Sequence, residues 1–146
     1  MIIWELKYYN DLSQSLLYKI LKIRQEVFII EQNCNYLDAD NIDQHSHHLI
    51  GLVDNEIIAY MRIVKPGYVY KELSFGRILV KKQYRGEGIG RQLMKQAIDI
   101  FGPQQKSIVM SAQLYLVDFY QDFDFSIHGE QYLEDNIPHI KMIRNG

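Results

Sequence analysis

Residues Ile3–Tyr8 form a short strand-like run that breaks at Asn10-Asp11. Beyond the break, Leu12, Leu16, Leu17, Ile20, Ile23 and Val27 recur at helical spacing and predict an amphipathic helix to about Phe28, with Asp11 as its N-cap. Glu31 to Ser46 is polar and acidic and reads as an extended loop. His48–Val53 and Glu56–Val64 are strand-like and joined by Asp54-Asn55, a tight hairpin signal. Pro66-Gly67 closes that unit, and Leu73–Lys81 is the next strand. Gly88 to Phe101 is helical, with Ile89, Leu93, Ala97 and Ile100 on one face and Gly102-Pro103 as the stop. Ser107–Ala112 predicts a buried strand, Leu114–Phe123 a second short helix, and Ser126–Leu133 and His139–Ile143 two closing strands. Hairpins early and a strand-helix-strand unit in the middle predict a mixed sheet with helices packed on it.

The length, 146 residues, fits one domain spanning 1–146, and no stretch resembles a linker or a repeat. Lys and Arg number 16 against 18 Asp and Glu, a net charge of −2, which gives no general attraction to nucleic acid or anionic lipid. The longest apolar run, Ile57–Met61, is far short of the roughly 20 residues of a membrane-spanning helix. The amino end lacks the basic region and cleavage site of a secretory signal. A single cysteine, Cys34, excludes an internal disulfide and a multi-cysteine metal site, and it suits a reducing cytoplasm.

The chemistry concentrates at Ile78-Leu79-Val80-Lys81-Lys82-Gln83-Tyr84-Arg85-Gly86-Glu87-Gly88-Ile89-Gly90-Arg91. An apolar strand runs into three alternating glycines, and a helix begins there. Glycines let the backbone approach a ligand, and the first N–H groups of a helix have no internal partner, so together they form an anion pocket. Lys81, Lys82, Arg85, Arg91 and Lys95 surround the helix start with only Glu87 to offset them. Cations at that end of the macrodipole are disfavoured unless an anion of more than one charge binds among them. The spacing fits neither a P-loop nor the G-x-G-x-x-G dinucleotide turn.

Arg85-x-x-Gly88-x-Gly90 after an apolar strand resembles the acyl-CoA signature of the GNAT superfamily of N-acetyltransferases. Gln113 to Phe125 is similar to that superfamily's helix Asn-x-x-Ala-x-x-Phe-Tyr-x-x-x-Gly-Phe. Phe119-Tyr120 and Phe125 match, whereas Gln113, Leu116 and Asp124 replace Asn, Ala and Gly. Val27-Phe28-x-x-Glu31-Gln32-Asn33-Cys34, then Asp38-x-Asp40-x-x-Asp43 and His47, and Ile137-Pro138-His139-Ile140 near the end, resemble the ElaA-type branch. The resemblance thus covers nearly the whole chain. It implies an α/β acyl-CoA N-acyltransferase fold whose mixed, mostly antiparallel sheet splays in the middle and is flanked by about four helices. It also implies acetyl-CoA as cosubstrate, with Ile78, Leu79, Val80, Arg85, Gly86, Glu87, Gly88, Ile89, Gly90, Arg91 and Gln113 as its binding residues. The acetyl group would pass directly to an amine of a small molecule or a protein.

Such a transfer needs a neutral amine, donors for an oxyanion and a proton for the leaving thiolate. The resemblance implies a backbone donor around Leu79 and Val80, and Tyr120 as the general acid. For the base, Glu72 just before the fourth strand is one candidate, with Glu31, His47 and His139 as others, and a water chain could serve instead. Cys34, Asp38, Asp40, Asp43, His45, His47 and His48 lack zinc or calcium spacing, so no metal is expected. The acidic loop reads instead as a lining for the acceptor side of the cleft that attracts a cationic amine. A non-catalytic acyl-CoA-binding module is the alternative function, and a protein using the turn for another diphosphate is a third. Aromatic content of 12% suits a homodimer interface as well as a core.

Overall fold

A computed structural model describes all residues, 1–146. Seven strands form one sheet in the order β1-β2-β3-β4-β5-β7-β6. They are β1 (Ile3–Tyr8), β2 (Ser46–Val53), β3 (Glu56–Val64), β4 (Leu73–Val80), β5 (Ser107–Gln113), β6 (Phe125–Glu134) and β7 (Ile137–Asn145). The expected hairpin is present, with Asp54 and Asn55 both at positive φ (49° and 63°). These are the backbone angles a two-residue turn with the right twist demands.

Three α-helices accompany the sheet, one fewer than expected: α1 (Gln14–Arg24), α2 (Ile89–Phe101) and α3 (Val117–Gln121). Ser13, not Asp11, caps α1, its side chain accepting from the Leu16 N–H at 3.1 Å, because Tyr9–Asp11 turn as a separate 3-10 segment. Past Arg24 the helix widens into a π-helix over Gln25–Glu31, which carries it beyond the predicted end at Phe28. Leu114–Leu116 is a 3-10 turn ahead of α3, so the helix expected from Leu114 begins in earnest only at Val117.

Alternation along the strands divides the core between the two faces of the sheet. Ile20, Ile23, Val27 and Phe28 pack with Ile50, Ile57, Tyr60 and Leu79 on one face. On the other, Leu93, Met94, Ala97 and Phe101 of α2 and Tyr120 of α3 pack with Met61, Phe75, Met110, Ile140 and Met142. β3 contributes to both, which is why its run from Ile57 to Val64 is buried almost without interruption.

Two irregularities in β4 shape the middle of the molecule. It pairs with its only parallel neighbour, β5, at just two positions, Leu73↔Ile108 and Ser74↔Val109. From Phe75 onward its outward N–H and C=O groups therefore have no strand to bond. β4 also carries a bulge against β3, where Arg62 pairs with Gly76 but Tyr60 pairs with Leu79. Within the bulge Arg77 has a φ of 49°, a left-handed conformation that few residues other than glycine adopt readily.

Candidate active site

The splay between β4 and β5 opens a cleft of about 780 Å³. Ile78, Leu79 and Val80 line one wall, Gln113 the other, and Arg85, Gly86, Gly88, Gly90 and Arg91 the floor where α2 begins. Gly86 and Gly88 have φ of 81° and 78°, and a Cβ at either would meet no atom within 4 Å. These glycines are required by backbone angle, and the space before them is open to a ligand. Gly88 occupies the N-cap of α2 with no side chain to satisfy the helix, whose first internal bond runs from the Gln92 N–H to the Gly88 carbonyl. The amides just inside the cap are left for a ligand. Glu87 is exposed and Ile89 is buried under the turn, and neither is among the residues that line the cleft.

The cations around this turn are less free than their density predicts. Arg85 donates to both oxygens of Glu31, the second bond at 3.1 Å, and through Nε to the Val80 carbonyl at 2.9 Å. Arg91 pairs with Asp122 at 2.8 Å and stacks over Phe119, Lys81 pairs with Glu56, and Lys95 pairs with Asp99 at 2.7 Å. Four of the five cations have found a carboxylate distant in sequence or one turn away, and Lys82 alone has none. Glu31, one of the candidate bases, lines the cleft with its carboxylate engaged by Arg85.

Tyr120 lies in the wall of the same cleft, 5% exposed. Burial, with Tyr115 nearby adding to it, pushes its pKa well above the ordinary phenol value, so it keeps its proton throughout the neutral range. Asp124, where the resemblance calls for glycine, adopts the positive φ itself (68°), so the chain turn after α3 survives the substitution.

The other base candidates separate clearly. Glu72 sits half-buried just ahead of β4 and is not among the residues lining the cleft. His47 points to the α2 face, packed edge-on against Tyr8 at 5.1 Å and Phe101 at 5.4 Å, also away from the cleft. His139 does line it, 6% exposed.

The acidic loop behaves contrary to expectation. Asp38 and Asp43 are each 6% exposed and do not present free charge to the cleft. Arg24, fully buried on α1, donates to Asp38 at 2.9 Å and Asp43 at 2.6 Å. Arg62 of β3 grips Asp40 with two nitrogens and reaches Asp43 at 2.9 Å, while Arg77 of the bulge donates to Asp38 at 2.8 Å. Three guanidiniums thus neutralise three carboxylates. Burial alone would raise the Asp43 pKa, but the Arg24 and Arg62 guanidiniums outweigh it and hold the carboxyl below its usual range. His48 joins the cluster through Tyr60 at 2.6 Å and the Asp43 carbonyl at 3.0 Å, and burial lowers its pKa. The three arginines escaped the sequence reading. Their one signal was a cation within an apolar pattern, Arg24 beside Ile20, Ile23 and Val27, and Arg62 inside Ile57–Val64.

The chain as a whole has counterparts among known proteins. Residues 14–145 match the family model for the acetyltransferase (GNAT) domain. The chain belongs to the GNAT acetyltransferase family. Protein ElaA of Escherichia coli is 38% identical over 148 residues, covering 99% of this chain and 97% of ElaA. The crystal structure of Escherichia coli ElaA superposes with a TM-score of 0.92 over 99% of this chain and all of that one. An acyl-CoA N-acyltransferase from Pseudomonas aeruginosa superposes with a TM-score of 0.93 at 35% identity, covering 99% of both chains. Membership of this GNAT family makes the chain an acyl-CoA-dependent acyltransferase.

Proposed function

We propose that this GNAT chain is an N-acetyltransferase of the cytoplasm that moves an acetyl group from acetyl-CoA to a primary amine of a small molecule or protein, by direct attack in a ternary complex. The observation that carries the reading is a single cleft bordered at once by the glycine turn, the unpaired edge of β4 and Tyr120. The residues fit the cosubstrate: Gly86 and Gly88 leave empty the space a phosphate would enter, and the capless start of α2 offers its amides to negative charge. Acetyl-CoA, when bound, supplies an activated thioester.

The chain's own residues do the remaining work. Ile78, Leu79 and Val80 supply an apolar wall, and the amides on the open edge of β4 are donors for charge that develops on a carbonyl oxygen. Gln113 marks the opposite wall. Tyr120 Oη holds the proton that a departing thiolate requires, and burial keeps it there until it is needed. An acceptor enters beside Tyr36, Tyr70 and His139 on the far side of the gap.

Thiol release from acetyl-CoA over a panel of polyamines, amino acids, aminoglycosides and peptides tests this. Turnover above the hydrolytic background with at least one amine is expected. Calorimetric binding of acetyl-CoA without turnover on any member would make the chain a non-catalytic acyl-CoA module, and ATP binding in preference to acetyl-CoA would assign the turn to another diphosphate.

A further inference from the structure

β7 carries a second reactive group to the cleft. Ile140 and Met142 belong to the core on the α2 face, so His139 and Lys141 between and beside them point to the face of α1. Tyr120 reaches the same cleft from the α2 face. Acid and histidine thus border the splay from opposite sides of the sheet. Register fixes the histidine directly across from Gln113, at the end of β5 that has parted from β4.

His139 is held in one chemical form. Its Nδ1 lies 2.7 Å from the Ile137 carbonyl, which can only accept, so Nδ1 carries the hydrogen and Nε2 the lone pair. Nε2 faces the Glu134 carboxylate at 3.5 Å. Glu134 is half exposed, and its other oxygen accepts from Ser111 Oγ at 3.3 Å. Around the ring, β6 also contributes Tyr132, stacked at a centroid distance of 6.2 Å, and the β6–β7 turn contributes Asp135 to the cleft lining. β5 contributes Gln113 and Ser111. The nearest cation on β7, Lys141, is committed to the ring of Tyr70, 5.4 Å from its centroid. The Arg62 and Arg77 charges in the cleft are already met by Asp38, Asp40 and Asp43, so Glu134 and Asp135 are the carboxylates with no guanidinium partner facing an acceptor.

We propose that His139, assisted by Glu134, is the general base of the reaction, and that the pair selects acceptors presenting an ammonium group. The assignment rests on the N-acetyltransfer reading. Glu134 draws the ammonium, which loses one proton to solvent. The neutral nitrogen attacks the thioester carbonyl carbon and gives a second proton to His139 Nε2 as the C–N bond forms. The C–S bond breaks, its electron pair leaves on sulfur, and sulfur takes the Tyr120 proton. The proton on His139 returns through solvent to Tyr120, so one thioester and one amine give one amide and one thiol.

The test is the pH dependence of kcat/KM with acetyl-CoA and the fastest amine of the panel, or water where none exceeds hydrolysis, alongside calorimetry of acetyl-CoA. His139→Gln is expected to lower kcat/KM about 100-fold at neutral pH. It should also abolish the acid limb and leave the acetyl-CoA Kd within twofold. Glu134→Gln, on the exposed hairpin and safe for folding, is expected to raise the amine KM while the acetyl-CoA Kd holds. An acid limb unchanged in His139→Gln, with binding and turnover intact, overturns the base assignment alone, and an amine KM unchanged in Glu134→Gln overturns the selection of ammonium acceptors. Wild-type protein that does not bind acetyl-CoA overturns the transferase reading and the assignment with it.

Discussion

The two ends of the cleft use charge in opposite ways. At the start of α2 the backbone is left incomplete: a glycine cap without a side chain, amides without partners and open space where a Cβ would stand. At the other end Arg24, Arg62 and Arg77 meet Asp38, Asp40 and Asp43 in a cluster with nearly every donor matched. An unsatisfied backbone can accept a ligand's charge, whereas in a satisfied ionic cluster the cost lies in removing one partner. Density of charged residues does not separate these cases. The cations near the glycine turn are mostly paired, and the acids of the 38–43 loop are paired as well, so the two densest regions of sequence charge both mislead when counted without partners.

Disrupting the cluster should have the largest effect. Arg24→Ala leaves Asp38 and Asp43 short of a buried partner and is expected to cost about 3–5 kcal/mol, measured by urea unfolding. A loss below 1 kcal/mol would show that the cluster is not structural. On the catalytic side, Tyr120→Phe removes a hydroxyl without removing the packed ring. It should lower kcat about 100-fold, roughly 2.7 kcal/mol, while the acetyl-CoA Kd and the melting temperature hold.

Acid should weaken the cluster in two stages. His48 has its folded pKa lowered below the ordinary 6.5, so the unfolded chain takes up the proton first and stability falls as pH drops below that value. Asp40 and Asp43 have folded pKa values lowered below 3.8, so their contribution is complete above that value and is lost as pH falls through the folded values. Urea midpoints at pH 7, 5.5, 4 and 3 should decline in that order, and His48→Gln should reduce only the first step, to which His47, its pKa also lowered by burial, contributes the rest. The smallest effect belongs to an exposed pair on α2: Lys95→Ala breaks the contact with Asp99 and should change stability by about 0.3–0.5 kcal/mol.

What could be read from the chain follows from the range of the interactions involved. The hairpin at Asp54-Asn55, the strands on either side and the glycine turn before α2 are local features, written in consecutive residues, and all are present. The cap of α1 was misplaced by two residues because Asp11 and Ser13 are both good capping side chains. Only the 3-10 turn of Tyr9–Asp11 decides between them. The π-helix at Gln25–Glu31 has no periodic signature distinct from an α-helix over so few residues. The fate of the acidic loop depended on Arg24, Arg62 and Arg77, which lie 14 to 39 residues away and meet it only after the sheet has formed. Glu72 and His139 posed the same difficulty, since the residue just ahead of β4 and one on the last strand cannot be ranked until register carries His139 opposite Gln113.

The most direct measurement is calorimetric titration of acetyl-CoA into the wild-type protein and into Gly88→Ala. The variant adds a methyl group that touches no atom but must hold a left-handed backbone at a cost of about 1–2 kcal/mol, and it intrudes on the space before the capless amides. One-site binding by the wild type, weakened at least tenfold in Gly88→Ala with the fold retained, is the expected result. Equal affinity in the two proteins, or no binding by either, would contradict a diphosphate held by the start of α2.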